Sequence, residues 1–394
     1  MNSMFSIIAL PESADAFTRG QIYGKTAALR IRHSVLTYAK LFACCGIDWQ
    51  EACSRAQRYT PVITALDANL MAEMQGIAQG SGLRLEDILA LNCRTEILPS
   101  NFLSDDSFHT EAALEANRLA GLADWETGLP IDSHIQDGEC TAMCVQGSVS
   151  IDGHTWFAQN WDWIGRQRQA LVLLKTHDAK GRAMVTLTEA GMLAKIGMNA
   201  AGFALGLNIM RSTGDGQTPG VPVHIVLRHL LDCDSIAHAR DRMAHMATLG
   251  FGAASNVPCA DASGEVACFE MAPAGWAELQ PTNGVVLHTN HFLCDALQAN
   301  QSPMGLALSS QPRLETAAKH AAQSGLGLEK LQSFLRDESD GFLSICRSPD
   351  LALSPQGRVE SVAGIVMNSH TRQIWIAPDV PSRVGFEEIT NLWA

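Results

Sequence analysis

Residues 136–163 read QDGECTAMCVQGSVSIDGHTWFAQNWDW. In this stretch a polar, acidic segment gives way to strands, and a cysteine stands at the junction. Upstream, residues 101–139 carry nine acids and one base, Arg118, with few large apolar side chains. They are expected to form a flexible acidic tail with at most a short helix around 111–119. Downstream, Val145–Ile151 and Thr155–Trp163 flank Asp152-Gly153 and predict a hairpin. Cys140 therefore sits between a solvated segment and the first strand of a sheet. Cleavage of the Glu139–Cys140 bond would leave Cys140 with both a thiol and a free α-amine. Such an amine, with an ordinary pKa of ~7.7–8.0, can serve as base for its own side chain. The competing interpretation of Cys140 alone is a buried structural cysteine.

On a regular second strand, Asn160 and Asp162 share one face, while Gln159, Trp161 and Trp163 share the other. That pattern suits a carboxylate aimed into a site beside a packed sheet. The alternative is an edge strand with a solvated aspartate.

Further out, the segment before the acidic stretch is helical. Apolar residues recur at helical spacing from Ile22 to Phe42. Thr60-Pro61 marks a helix start, carried on by Ile63, Leu66, Leu70, Met74 and Ile77 and stopped at Gly80-Ser81-Gly82. A third helix is expected through Leu85–Leu91. After Cys140, hairpins are expected at 171–187, 254–270 and 364–376, with helices at Val221–Met246, Ser310–Ala322 and Leu328–Arg336. Antiparallel hairpins with two groups of helices predict a layered α+β fold.

The chain has 394 residues, 46% hydrophobic and 18% charged, enough for a large core. Lys+Arg is 28 against Asp+Glu 41, a net charge of −13. That balance argues against nucleic acid or anionic membrane as partner. No apolar run is long enough to span a bilayer. The N-terminus lacks the pattern of a secretory signal. The eleven cysteines include no C-x-x-C pair. A reducing cytoplasm is expected, with neither a disulfide framework nor a zinc site. His288 and His291 have no third ligand at metal-site spacing, so they are expected to frame Asn290 as a hydrogen-bonded pair.

Cys140-Thr141 followed by Gln159-Asn160-Trp161-Asp162-Trp163 resembles the N-terminal-nucleophile (Ntn) hydrolases of the acyl-coenzyme A:6-aminopenicillanic acid acyltransferase type, relatives of choloylglycine hydrolases and acid ceramidase. Five further boxes follow the family's order: Arg19-Gly20 to Tyr23-Gly24, Asn92-Cys93-Arg94-Thr95-Glu96, Gly197-Met198-Asn199 to Gly206-Leu207-Asn208, His288-Thr289-Asn290-His291-Phe292, and Ser344-Ile345-Cys346-Arg347. Together they extend along most of the chain.

The resemblance implies a four-layer αββα sandwich with a helical N-terminal pro-segment. The precursor would divide into residues 1–139 and a catalytic chain, 140–394. Cys140 would be the nucleophile, freed by self-cleavage after Glu139, and Asp162 would orient its amine and thiol. Asn290 would donate a side-chain N–H, and Asn208 a backbone N–H, to the oxyanion. Arg347, with Asn160 and Trp163, would bind substrate. The implied chemistry is transfer of an acyl group from a linear amide through a thioester, to water or to another acceptor. Substrates would be small-molecule amides or acyl-coenzyme A, without a cofactor, and processed heterodimers would associate into a homo-oligomer.

Two positions depart from the relatives. Gln159 stands where choloylglycine hydrolases carry Arg, which favours the acyltransferase branch. Glu139 stands where the penicillin acyltransferase pattern has Gly before the nucleophile. The alternatives are an uncut Ntn-fold binding protein and an intact cysteine hydrolase of papain type.

Overall fold

A computed structural model describes residues 6–99, 140–178, 180–302, 309–349, 351 and 359–393. The acidic tail, the short helix expected within it and Glu139 lie outside the described residues.

The N-terminal part comprises β1 (Ser6–Ala9), α1 (Ala16–Thr26), α2 (Ala28–Cys44), α3 (Trp49–Gln57), α4 (Thr60–Leu66), α5 (Ala68–Ser81), α6 (Leu85–Asn92) and α7 (Arg94–Ile97). The helix expected from Thr60 to Gly80 is interrupted. At Asp67 the backbone is extended, and its carboxylate accepts from Asn69 N, starting α5 afresh. Gly82, at φ 68°, closes α5 in the left-handed conformation. Glycines then let α1 and α5 meet backbone to backbone. A Cβ on Gly20 would lie 2.0 Å from the Glu73 carbonyl oxygen, and one on Gly76 would lie 2.1 Å from that of Phe17. This contact accounts for the early Arg19-Gly20 to Tyr23-Gly24 box.

After Cys140 come β2 (Thr141–Val145), β3 (Trp156–Ile164), β4 (Leu171–His177), β5 (Ala183–Glu189), β6 (Ile196–Asn199), β7 (Ala204–Leu205) and β8 (Asn208–Ile209). Next are α8 (Val223–Leu230), α9 (Ile236–Leu249), β9 (Ser255–Ala260), β10 (Val266–Ala272), β11 (Gly275–Leu279) and β12 (Val285–His288). The chain ends with α10 (Asp295–Gln298), α11 (Ser310–Ala321), α12 (Leu328–Leu335), β13 (Val359–Asn368), β14 (Gln373–Ala377) and β15 (Glu387–Glu388). The span expected to be helical from Val221 to Met246 is thus two helices, the second capped by Ser235, whose side chain accepts from His238 N.

Among the described residues the strands form two sheets. One has nine strands in the order β1-β4-β5-β6-β7-β9-β10-β11, with β8 also beside β9; the other has six, β12-β2-β3-β13-β14-β15. The sheets face each other through β2, β3 and β12 against β9 and β10. Helices α11 and α12 cover the six-stranded sheet, and the N-terminal helices share one hydrophobic core with the nine-stranded sheet. The result is the αββα layering.

Two expectations are corrected. The first hairpin is not closed at Asp152-Gly153: β2 begins at Thr141, its register runs from Thr141↔Asn160 to Val145↔Trp156, and a longer loop joins the strands. Asp152 supports that loop by accepting from His154 N and Trp156 Nε1. The N-terminal part is also not purely helical, because β1 pairs in parallel with β4 at the edge of the larger sheet.

Candidate active site

Cys140 immediately precedes β2, 5% exposed. Its backbone N–H donates to Asn290 Oδ1 at 3.0 Å, and its Sγ lies 3.9 Å from the Asp162 carbonyl oxygen. Arg313, on α11, holds the same residues from the other side. Its Nη1 donates to the Cys140 carbonyl at 2.6 Å and to Thr141 Oγ1 at 2.7 Å, its Nη2 to Asn290 Oδ1 at 2.8 Å, and its Nε to Ser309 Oγ at 2.9 Å. Guanidinium has donors only, so the Asn290 atom facing it must be the oxygen. Asn290 Nδ2 then donates to the Ile209 carbonyl at 2.7 Å. The amide expected at an oxyanion is thus engaged with β8 in this structure. The Asn290 backbone N–H donates to Ser310 Oγ, which also meets His291 Nδ1 at 2.7 Å.

The β3 face assignment follows the expected alternation. Asp162 and Asn160 face the α11–α12 side. Asp162 Oδ1 accepts from Ser361 Oγ at 2.6 Å, and Ser361 Oγ accepts in turn from Arg347 N at 2.9 Å. A bulge at Ser361–Ala363 on β13 lies opposite this point. Asn160 Nδ2 donates to the Leu335 and Ile345 carbonyls, at 2.8 and 3.0 Å. Asn160 and Ser361 therefore stitch the Ser344–Arg347 box to β3. Arg347 is buried and donates from Nη2 to the Phe342 carbonyl at 3.1 Å.

Gln159 faces the other sheet. It donates to the Leu207 carbonyl and, at 2.9 Å, to Asn208 Oδ1, while its own Oε1 accepts from Leu207 N at 3.2 Å. Gly206 leaves room for this side chain, since a Cβ there would lie 2.0 Å from Gln159 Oε1. From Asn208 the polar chain continues to Asn256 Oδ1 at 2.8 Å, and Asn256 Nδ2 donates to the Thr289 carbonyl at 2.9 Å. The residue that departs from choloylglycine hydrolases thus crosses the sandwich and fixes Asn208. Trp163 points into the N-terminal helices, with Nε1 donating to Tyr38 Oη at 3.0 Å and Arg94 over its ring at 4.5 Å.

The structure therefore brings Cys140 and Asn290 together and sets the Asp162 backbone carbonyl against the thiol, while the Asp162 carboxylate accepts from Ser361. It links Arg347 through Ser361 and Asn208 through Asn256, and it puts Asn160 and Trp163 in structural contacts. Arg313 and Asn256 were missed. A lone arginine on an amphipathic helix has no sequence mark of burial, but Ser309-Ser310 just before it was a usable cue to a helix start.

Burial above all, and then the nearby Asp162 charge, push the Cys140 thiol up to about 12; the Asp162 carbonyl contact, Lys195 and Arg313 pull the other way. His288 Nε2 meets Glu270 Oε1 at 2.7 Å and its Nδ1 meets the Thr289 carbonyl at 2.9 Å, fixing the strand end before Asn290. Burial, then the His288 and Arg313 charges, lower His291 to about 4, so it is neutral at pH 7. No group of three or more His, Cys, Asp or Glu suited to a metal ion occurs among the described residues. No helix among them is long and apolar enough to cross a membrane.

The sequence profile of a family described as acyl-coenzyme A:6-aminopenicillanic acid acyl-transferase matches residues 149–382. The acyl-coenzyme A:6-aminopenicillanic-acid-acyltransferase 40 kDa form of Emericella nidulans is 26% identical over 283 residues, covering 70% of this chain and 66% of that protein's length. A variant of conjugated bile acid hydrolase from Clostridium perfringens is 12% identical with a TM-score of 0.44, over 65% of this chain and 94% of that one. The Caenorhabditis elegans N-acylethanolamine-hydrolyzing acid amidase ortholog is 13% identical with a TM-score of 0.41, over 61% and 95%.

Proposed function

The chain belongs to the acyl-coenzyme A:6-aminopenicillanic acid acyl-transferase family, and from that premise we propose that it is a self-processing cysteine amidohydrolase or acyltransferase. The observation that carries this reading is the clamp on Cys140. Asn290 takes its N–H, Arg313 takes its carbonyl, and the thiol lies against β3. In the uncut chain the buried thiol is protonated at neutral pH. It needs a base at hand, and cleavage after Glu139 would create one on the same residue.

The first reaction is an N-to-S acyl shift. Cys140 Sγ attacks the Glu139 carbonyl, the C–N bond breaks, and the amine takes the thiol proton. Water then hydrolyses the thioester, releasing the Glu139 carboxylate. In turnover the α-amine accepts the thiol proton, Sγ attacks the amide carbonyl of the substrate, and the ammonium protonates the departing amine. Hydrolysis or aminolysis of the acyl-thioester completes the cycle. An acyl-coenzyme A donor enters by the same attack on its thioester carbonyl. The nearby Asp162 charge favours the ammonium. Two N–H donors aimed at the tetrahedral oxygen would stabilise it, a role suited to Asn290 Nδ2 once released from Ile209 and to the Asn208 backbone. Eleven cysteines without a disulfide are in keeping with a cytoplasmic site of action.

Intact mass tests the reading. Fragments of 139 and 255 residues are expected, with Cys140→Ala remaining whole. The processed chain is expected to turn over N-acyl amino acids or acyl-coenzyme A donors. Cleavage elsewhere, or an alanine variant that still divides, would refute it; one uncut and inactive chain would favour the binding protein.

A further inference from the structure

Lys195 lies in the apolar run Met192-Leu193-Ala194-Lys195-Ile196 and is 1% exposed. Burying an ammonium is costly unless charge and hydrogen bonds compensate. Here Nζ is 3.1 Å from Glu189 Oε2 and 3.6 Å from the centre of the Trp161 ring. Glu189 in turn accepts from Tyr38 Oη and lies 3.8 Å from Arg94 Nε. The pocket holding this ammonium is thus built from both halves of the chain.

The register of β2 and β3 brings this group to the nucleophile. Thr141 pairs with Asn160, so continuing by one residue sets Cys140 opposite Trp161. Directly opposed residues of an antiparallel pair point to the same face. Thr141 and Asn160 turn to the α11–α12 side, where they meet Arg313 and the Leu335 carbonyl. Cys140 and Trp161 therefore turn between the sheets, where Lys195 covers the indole.

We propose that Lys195 is a positioning residue for the reaction, whose ammonium, seated on Trp161 and held by Glu189, stabilises the Cys140 thiolate. The proposal rests on Cys140 being the nucleophile. No proton passes to Lys195; it acts by charge alone. The charged and titratable groups around this pair are Glu189 on β5, Tyr38 on α2, Arg94 on α7, His224 on α8, Asp162 on β3 and Arg313 on α11. Burial, with Arg94 acting in the same direction, lowers Lys195 to about 7 against the upward pull of Glu189 and of an ionised Cys140. On the thiol, Lys195 acts in the opposite direction to Asp162. Each member of the pair thus favours the charged form of the other, which lets a buried thiolate form without an imidazole.

The test is the pH dependence of alkylation at Cys140. The full-length chain is treated with iodoacetamide between pH 6 and 10, and the Cys140 peptide is followed by mass spectrometry. An opposite charge at close range shifts a pKa by about 1–3 units. Lys195→Met is expected to slow Cys140 labelling roughly tenfold or more across this range, where the thiolate is the minor form and each unit added to its pKa costs a factor of ten. Lys195→Arg is expected to restore the original profile. A merely structural role would leave Cys140 labelling unslowed and speed it together with the other cysteines as they become exposed, so half-buried Cys294 serves as the internal control. Should Lys195→Met alone disturb folding because Glu189 is left unpaired, Lys195→Met with Glu189→Gln removes both charges. A profile superimposed on that of the unsubstituted chain would overturn the proposal, and absence of Cys140 labelling at every pH in the unsubstituted chain would do the same. A Cys140→Ala chain that still turns over substrate would sink the nucleophile assignment instead, whatever the labelling of the unsubstituted and Lys195→Met chains.

Discussion

Replacing Asn290 separates two jobs that this side chain could perform. In the structure Oδ1 accepts from Cys140 N–H and from Arg313, while Nδ2 donates to the Ile209 carbonyl. Asn290→Ala leaves all three partners short of a hydrogen bond in a buried site. At ~1–3 kcal/mol for each buried group left unsatisfied, with partial relaxation, the loss is on the order of 3–5 kcal/mol. Asn290→Asp keeps both acceptor contacts and loses the Ile209 bond, at ~1–3 kcal/mol; the repulsion between its second oxygen and the Ile209 carbonyl is offset by the new charge facing Arg313. The two variants should therefore differ by about 2 kcal/mol, or roughly 2–3 °C in Tm for a chain of this length. Thermal unfolding in a Cys140→Ala background measures this without interference from cleavage. Turnover measures the second job. If Nδ2 swings to the oxyanion during reaction, both variants lose the same donor and fall ~10²–10³-fold, although only one is strongly destabilised. Equal stability of the two would refute the hydrogen-bond assignment; retained activity in Asn290→Asp would refute oxyanion donation.

Two further predictions concern the N-terminal helices. Gly76→Ala should destabilise the protein even though alanine is the better helix former by ~1 kcal/mol, because the new Cβ would fall 2.1 Å from the Phe17 carbonyl oxygen; a higher melting temperature would show that α1 and α5 can part cheaply. Glu96, whose Oε1 accepts from Val223 N at 2.8 Å, is raised by burial to about 7 from its model-peptide value of 4.5. A carboxyl with a raised folded pKa contributes stability that is present below the unfolded value and lost as pH climbs through the folded one. Stability should thus fall by up to ~3 kcal/mol between about pH 4.5 and pH 8, and Glu96→Gln should flatten that slope in urea titrations; parallel slopes would refute the buried-acid explanation.

Much of the site was legible because its residues come in short boxes. The histidine–asparagine box was reached through its resemblance to a family's boxes, and β3 kept the period-2 alternation that separates Asp162 from Trp161. The start of β2 was hidden for a physical reason. All five residues of Thr141–Val145 are buried, so there is no polar alternation to mark the strand, and Asp152-Gly153 offered a stronger turn signal than the true loop. Arg313 and Asn256 were invisible because their value lies in contacts across layers, which no local pattern encodes. Lys195 did leave a trace: a lone cation inside an apolar run implies a buried partner. Finding Glu189, six residues earlier, as that partner required the fold.

Continuity between the two parts of the chain bears on what a cut would do. Strand β1 is hydrogen-bonded into the larger sheet, Trp163 donates to Tyr38, and Arg211 from the second part donates to the carbonyls of Thr95 and Leu98 in the first. Severing the peptide after Glu139 would nick the backbone and leave these contacts standing. The fragments would then co-purify through dilution and gel filtration, and would separate only under conditions that denature the sandwich. Neither fragment has a complete core without the other. Maturation would thus be a change of terminus in an already folded body, and for this protein the release of a pro-peptide would be indistinguishable from unfolding.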